Sequence, residues 1–374
     1  MLNQRGAHAP TLCEKDVACC LYIKLPKSTS QLYIPNSLLF LIKIILMNRC
    51  HLFRLLFILC FFSFFAACKK NHINKPVPTV YIAGVNEDTA IVWENGVAEQ
   101  LTSRFGGAAN QVAVAGGAVY VAGQGVNAGL DAAIYWKDGT PNFLPVRSST
   151  TVSTTGSLCV SGSDVYVAGW FQIYGTQYAT YWKNGSPTVI DSTNVAVLNS
   201  ITVSGGSVYI CGSSLLNEAF NTATWWKDGV RNLLTNATSE AYSIYVSGSD
   251  VYVAGMYLSN PIAIPALWKN GQLINLSTNS GVAYSVTMAD KDVYVAGYET
   301  INGTGVATVW KNGTPQHLPG GTTSLASSVF VSGGDVYVAG GTENNDIQRA
   351  CYWKNGQIFY IGNNGSSANS IVVQ

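Results

Sequence analysis

The chain has 374 residues, of which only 11% are charged, with 37 Gly, 20 Tyr and 9 Trp; this composition excludes a helical or disordered protein and suits packed strands joined by tight turns. The formal net charge of +1 averages two unlike parts, because residues 1–68 carry seven Lys and Arg against Glu14 and Asp16, whereas residues 69–374 carry 14 Lys and Arg against 18 Asp and Glu. The larger part therefore has no basic footprint, which excludes nucleic acid as its partner.

Residues 1–46 hold an apolar patch near Leu38 to Leu46 but precede an element that normally opens a chain, so they read as a mis-assigned upstream segment. That element is 47–67. It starts at Met47 and sets Arg49 and Arg54 ahead of the apolar run Leu55 to Ala67, the layout of a secretory signal peptide. Its end, Phe65-Ala66-Ala67-Cys68, resembles the lipobox of bacterial lipoproteins, with Phe65 where an aliphatic residue is usual. The resemblance implies lipidation of Cys68; an uncleaved anchor is the alternative. Residues 68–78, with Lys69 and Lys70, read as a tether. On either reading the remainder lies outside the cytoplasm at the bacterial cell envelope, with the outer membrane as the expected site.

From Val80 the chain repeats itself. Val-Tyr-Val-Ala-Gly or a near copy begins at Val80, Val119, Val165, Val208, Val251, Val293 and Val336, and a Trp-[Lys/Glu]-[Asn/Asp]-Gly anchor follows each at Trp93, Trp136, Trp182, Trp226, Trp268, Trp310 and Trp353. A third element, Ala-x-Ser-Ile-x-Val, precedes most copies, is missing before Val80, and recurs unattached at Ala368 to Val373. Each unit thus predicts four strands, a to d, and the last segment of the chain supplies strand a of the first unit. Apolar residues on both faces of Val-Tyr-Val-Ala fit a sheet sandwiched between neighbours. Asn-Gly and Asp-Gly pairs, as at Asn184-Gly185 and Asp228-Gly229, predict tight c-to-d hairpins. Cys159, Cys211 and Cys351 fall within strand-like runs and read as buried thiols.

The pattern resembles bacterial seven-bladed β-propeller repeat proteins, kelch-like in style but not kelch proper, since Tyr181-Trp182 are adjacent and a double Gly after strand b occurs only at Gly340-Gly341. The resemblance covers 79–374 and implies an all-β seven-bladed propeller of four-stranded blades, closed by the C-terminal strand. It brings no functional residues with it.

In such a ring the a-to-b and c-to-d turns share one face and the b-to-c and d-to-a connections the other. The turns are near-identical between repeats, whereas the b-to-c connections, read as loops, all differ, which points to a scaffold presenting varied side chains on one face through its b-to-c and d-to-a loops. The candidates there are Trp170, Phe171, Tyr174 and Tyr178 of the third repeat, with Tyr257 and Tyr298 at corresponding places; aromatic residues of this kind stack on sugars or anchor partners, or else cover the inter-blade core. Six Lys on the turn face invite mutual pairing with Asp164, Asp250, Asp292 and Asp335, or an anion site.

The expected function is an envelope-tethered binding or scaffolding propeller: a monomer without cofactor or metal that recognises a glycan or protein and meets the membrane only through its lipid. One alternative is a polysaccharide hydrolase or lyase using acids such as Asp131, Glu218, Glu299, Glu343 and Asp346, although no triad or metal cluster can be assembled when His72 and His317 are the only histidines after the leader. The other is a purely structural part of an envelope complex.

Overall fold

In a computed structural model of the chain, the described residues are 77–101, 106–146, 152–193, 195–216 and 220–374, together with residue 37. The chain divides into two units, Met1–Lys75 and Pro76–Gln374. The upstream segment apart from residue 37, the signal at 47–67, Cys68 and most of the tether lie outside the described residues.

In the second unit the described residues form seven four-stranded antiparallel sheets, the blades of a propeller. Blade 1 takes its inner strand a, Ser366–Val373, from the C-terminus, followed outward by Val80–Asn86, Thr89–Glu94 and Val97–Gln100. Inner strands of blades 2 to 7 are Ala108–Ala115, Val152–Ser161, Val197–Ser204, Ser239–Ser247, Gly281–Ala289 and Thr323–Ser332. The closure expected from the repeats is present: Ile371 pairs with Ile82 and Val373 with Val80. Beyond the ladder, Thr79 and Gln374 exchange backbone hydrogen bonds of 2.8 and 3.0 Å.

Burial on both faces of each blade explains the Val-Tyr-Val-Ala pattern, because alternate residues serve opposite neighbours. In blade 6, Val295 packs with Tyr252 and Ala254 of blade 5, whereas Tyr294 and Ala296 pack with Val338 and Trp353 of blade 7. The seven anchor Trp side chains are at most 1% exposed. Cys211 and Cys351 are buried and Cys159 is half-buried; burial pushes all three thiols up, that of Cys351 to about 12.

The Asn or Asp opening each c-to-d turn does more than adopt positive φ. Its side-chain oxygen accepts the N–H of the first Val of the Val-Tyr-Val-Ala motif in strand b, at 2.8–2.9 Å in all seven blades, and its own N–H donates to the carbonyl of that Val. One residue therefore ties three strands together at the turn face.

Two features differ from the sequence expectation. The b-to-c segments are strand rather than loop: in blade 3, Thr176–Lys183 pairs along its whole length with strand b, from Ile173 back to Tyr166, across Tyr174-Gly175, both at positive φ. The pairs Ala128-Gly129 and Asn302-Gly303 do the same. The variable residues thus stand on rigid hairpin arms, alternately facing the preceding and following blades. Second, every inner strand carries a β-bulge at the x of Ala-x-Ser, placing an extra residue at Asn110, Gly156, Asn199, Tyr242, Tyr284, Ser327 and Asn369. The bulge brings a strand-a carbonyl against the Gly of strand b, where a Cβ would lie 1.8–2.1 Å from that oxygen at Gly84, Gly123, Gly169, Gly212, Gly255, Gly297 and Gly340.

Candidate functional site

The bulges sit near the starts of the inner strands, so they gather at the end of the central channel that also carries the b-to-c hairpins. Immediately after each bulge, a Ser or Gln side-chain oxygen accepts a backbone N–H of the following blade. These residues are Ser370, Gln111, Ser157, Ser200, Ser243, Ser285 and Ser328, and the bonds, 2.9–3.3 Å long, make an unbroken circle around the channel. Bulge side chains add to it: the amides of Asn110, Asn199 and Asn369 donate to carbonyls of the next blade at 2.6–3.0 Å. On most of the circumference the mouth is polar and its hydrogen-bonding groups are occupied within the ring.

Blades 5 and 6 break this regularity, because their bulge residues are Tyr242 and Tyr284. The two rings meet edge-on with centroids 5.3 Å apart, and Tyr284 lies 6.2 Å from Tyr298 at an interplanar angle of 31°. The Tyr242 hydroxyl donates to the Glu240 carboxylate. Burial, followed by that carboxylate, pushes the Tyr242 phenol well above its ordinary value, and burial pushes Tyr284 up to about 12. Both remain protonated hydrogen-bond donors at any physiological pH. Tyr284 lines the polar channel mouth and also a cavity of 370 Å³ beside blades 6 and 7, bounded by Tyr298, Ser324, Thr342, Glu343 and Gln348 among others.

The expected site residues do not converge. Phe171 is 1% exposed, stacks on half-buried Tyr178 at 5.2 Å and packs in the core between blades 2 and 3. It has a packing role and presents almost no surface. Tyr174 is 99% exposed at the hairpin tip, and Trp170 is half-buried below it. Tyr257 packs against the blade 4–5 core and donates its hydroxyl to Asn275 at 3.1 Å. Tyr298 alone of the six lines the 370 Å³ cavity. Tyr242 and Tyr284 escaped sequence reasoning, although their position in the Ala-x-Ser element, where other repeats carry Asn, Ser or Gly, was a usable signal.

Among the acids, Glu218 lies outside the described residues, Asp131 and Asp346 are exposed at hairpins, and Glu343 lines the cavity. Glu299, on the strand face opposite Tyr298, is 3% exposed and bonded to His317 Nε2 at 2.8 Å. Among the described residues, no group of three or more His, Cys, Asp or Glu is placed to hold a metal ion.

The opposite, turn face is regular. In blade 3, Lys183 reaches Asp164 at 2.8 Å and lies 5.3 Å over the Tyr166 ring, while the Asn184 amide donates to the same carboxylate. Blades 5, 6 and 7 repeat the arrangement at Asp250, Asp292 and Asp335. In blades 2 and 4 the strand starts with neutral Ala118 or Ser207, and the acid moves to the turn as Asp138 or Asp228, so each of these cassettes keeps one Lys and one Asp. Blade 1 departs, with Glu94 in place of Lys.

The Lys ammonium, then the Asn amide, hold Asp164, Asp250 and Asp292 below the ordinary carboxylate value of 3.8; for Asp335 the Asn comes first. A carboxyl with a depressed folded-state pKa adds stability that is present above its unfolded value and lost as pH falls through the folded one. Replacing all four by Asn is expected to lower Tm modestly at pH 7, because exposed pairs are individually weak, and the difference from wild type should close as pH falls below the ordinary carboxylate value and through the depressed folded-state one. A Tm gap that stays constant over that range in thermal melts would contradict this.

No protein-family model matches the chain, and no curated protein matches it in sequence. Among solved structures, the β-propeller domain of the trilobed protease from Pyrococcus furiosus is similar over 77% of this chain and 95% of that one, at 10% identity and a TM-score of 0.47. TolB from Acinetobacter baumannii is similar over 78% and 65%, at 12% identity and 0.42. The acylaminoacyl peptidase of Pyrococcus horikoshii is similar over 76% and 51%, at 10% identity and 0.47. At these values the likeness is loose, and no neighbour's activity transfers to this chain.

Proposed function

We propose that this protein is an envelope-tethered binding propeller that takes a glycan at its variable mouth. One observation carries the reading: Tyr284 and Tyr298 border a 370 Å³ cavity in an otherwise polar rim, and Tyr242 extends their arc into the channel mouth. A cavity of that size lies within the range of small-ligand sites, about 300–1,000 Å³. Aromatic faces beside hydroxyl and amide groups match a sugar ring, which has apolar C–H faces and a polar edge. Tyr298 stands on the unbroken strand b–c ladder of blade 6, and Tyr242 and Tyr284 stand on bulges seated against Gly255 and Gly297, so the side chains are already positioned before a ligand arrives.

Tethering follows from the signal at 47–67 and the lipobox-like end at Cys68. The chain enters the ring at Thr79 on the turn face, opposite the mouth, which suits an anchored receptor whose mouth is turned away from the membrane. Among the described residues, no helix is long and apolar enough to cross a membrane.

The test is a glycan array probed with the purified chain, together with metabolic labelling by a fatty-acid analogue. Wild type is expected to retain glycans, Tyr284→Ala to lose at least tenfold in affinity with little change in Tm, and Cys68→Ser to lose the label. Equal glycan retention by wild type and Tyr284→Ala would remove the mouth as the site, and label persisting in Cys68→Ser would remove the lipid anchor.

A further inference from the structure

Resting on that reading, we infer that the cavity beside blades 6 and 7 selects neutral or cationic sugars and rejects acidic ones. The selectivity comes from its walls. Among the residues bounding the cavity, Glu343 is the one charged side chain, and the others that face polar ligand groups are hydroxyls and an amide, such as Tyr284, Thr342 and Gln348. The nearest cation in sequence, Arg349, is not among the lining residues and is engaged elsewhere: its Nε donates to the Gly362 carbonyl at 2.9 Å, and its guanidinium lies 4.6 Å from the Tyr360 ring centre.

A uronate, sulfate or phosphate entering here would shed water beside a carboxylate with no cation to receive it, an arrangement that strongly disfavours binding. A neutral pyranose faces no such cost. Its apolar face lies against Tyr298, the half-buried ring that closes one side of the cavity 6.2 Å from Tyr284, and its hydroxyls donate to Glu343 and Gln348. An amino sugar adds a charge-assisted hydrogen bond to Glu343. The backbone at Gly305 and Gly341 forms part of the wall without side chains, leaving room for the ring edge.

The position on strand b that carries Tyr298 is occupied by Val85, Gln124, Trp170, Ser213, Met256 and Gly341 in the other blades. Among these only Trp170 offers a comparable aromatic face, and it is not among the residues lining the cavity. This separates the two candidate subsites experimentally.

The full chain is titrated by calorimetry with maltotriose as the neutral probe, fully deacetylated chitotriose as the cationic probe and trigalacturonate as the acidic probe, backed by an array containing neutral, amino, uronate and sulfated glycans. Neutral or amino glycans are expected to bind at least tenfold more tightly than acidic ones of equal length. Tyr298→Ala should weaken that binding at least tenfold, and Glu343→Gln should raise the acidic-to-neutral affinity ratio at least tenfold. Acidic glycans bound as tightly as neutral ones by wild type would overturn the selectivity. Neutral binding that survives Tyr298→Ala but is lost in Trp170→Ala would overturn the location while leaving a glycan-binding propeller standing. Retention of no glycan by wild type would take down both.

Discussion

Removing residues 366–374 is expected to cost the propeller its cooperative fold or, at the least, to lower Tm by more than about 10 °C. The segment is the inner strand of blade 1, and its Ala368, Ile371 and Val373 are 2–5% exposed. Burial of side chains of this kind contributes roughly 1.5–3 kcal/mol for each large one, so the apolar loss alone is about 5 kcal/mol, against a total stability of about 5–15 kcal/mol. At roughly 1.5–2 °C per kcal/mol for a ring of this size, the apolar loss alone is a Tm shift of about 8–10 °C, and the ladder bonds lost with the strand carry it past 10 °C. Deletion also breaks the circle of inter-blade bonds at two places, since Ser370 accepts from Val112 and Ile371 donates to Ser328. A synthetic peptide of residues 366–374 should restore part of the lost Tm by adding back as a strand. A truncated chain melting within about 2 °C of wild type would show that the ring does not depend on its closing strand.

The second large effect is expected at Gly297. A Cβ there would stand 1.9 Å from the Val282 carbonyl oxygen and 2.9 Å from Ala283 Cα, both backbone atoms fixed by the bulge at Tyr284. Because neither atom is the end of a flexible side chain, Gly297→Ala should cost about 3 kcal/mol, at the top of the usual range for overpacking. Gly305 is the internal control. Its nearest neighbours to an added Cβ are Tyr298 Cδ2 at 3.7 Å and the Ser324 oxygen at 3.8 Å, so Gly305→Ala should be neutral or gain up to about 1 kcal/mol through the unfolded chain. Urea midpoints for the two variants decide the matter, and equal stabilities would refute the steric account.

Blade number, strand order and ring closure could be read from residues because each rests on a repeated local signal: Val-Tyr-Val-Ala for a two-sided strand, Asn-Gly for a primed hairpin, and an orphan Ala368 to Val373 for the missing partner of Val80. The hairpin arms are harder to read, although Tyr174-Gly175 and Asn302-Gly303 carry the same kind of turn signal as the c-to-d turns. Variation in the flanking residues reads as loop, whereas their backbone pairing is independent of which side chains they carry. The bulges left a trace too, in the unvarying Gly of strand b, but that Gly is explicable only once a strand-a carbonyl is seen against it. The cavity beside Tyr284 and Tyr298 is a matter of tertiary placement: residues about 60 positions apart, from Tyr284 to Glu343 and Gln348, share it through the stacking of two blades, and no spacing rule marks them.

The clasp between Thr79 and Gln374 bears on how the molecule would respond to a mechanical load. A pull arriving along the leading end of the chain is directed down the axis of Val80–Asn86, a strand held on one flank by Ser366–Val373 and on the other by Thr89–Glu94. The ladder bonds on both flanks are then strained in shear, all sharing the force at once, instead of parting one after another as they would if peeled from an edge. Because the last strand of the chain closes over the first strand of the ring, the load meets a strand held between two ladders, where an edge strand would be held by one.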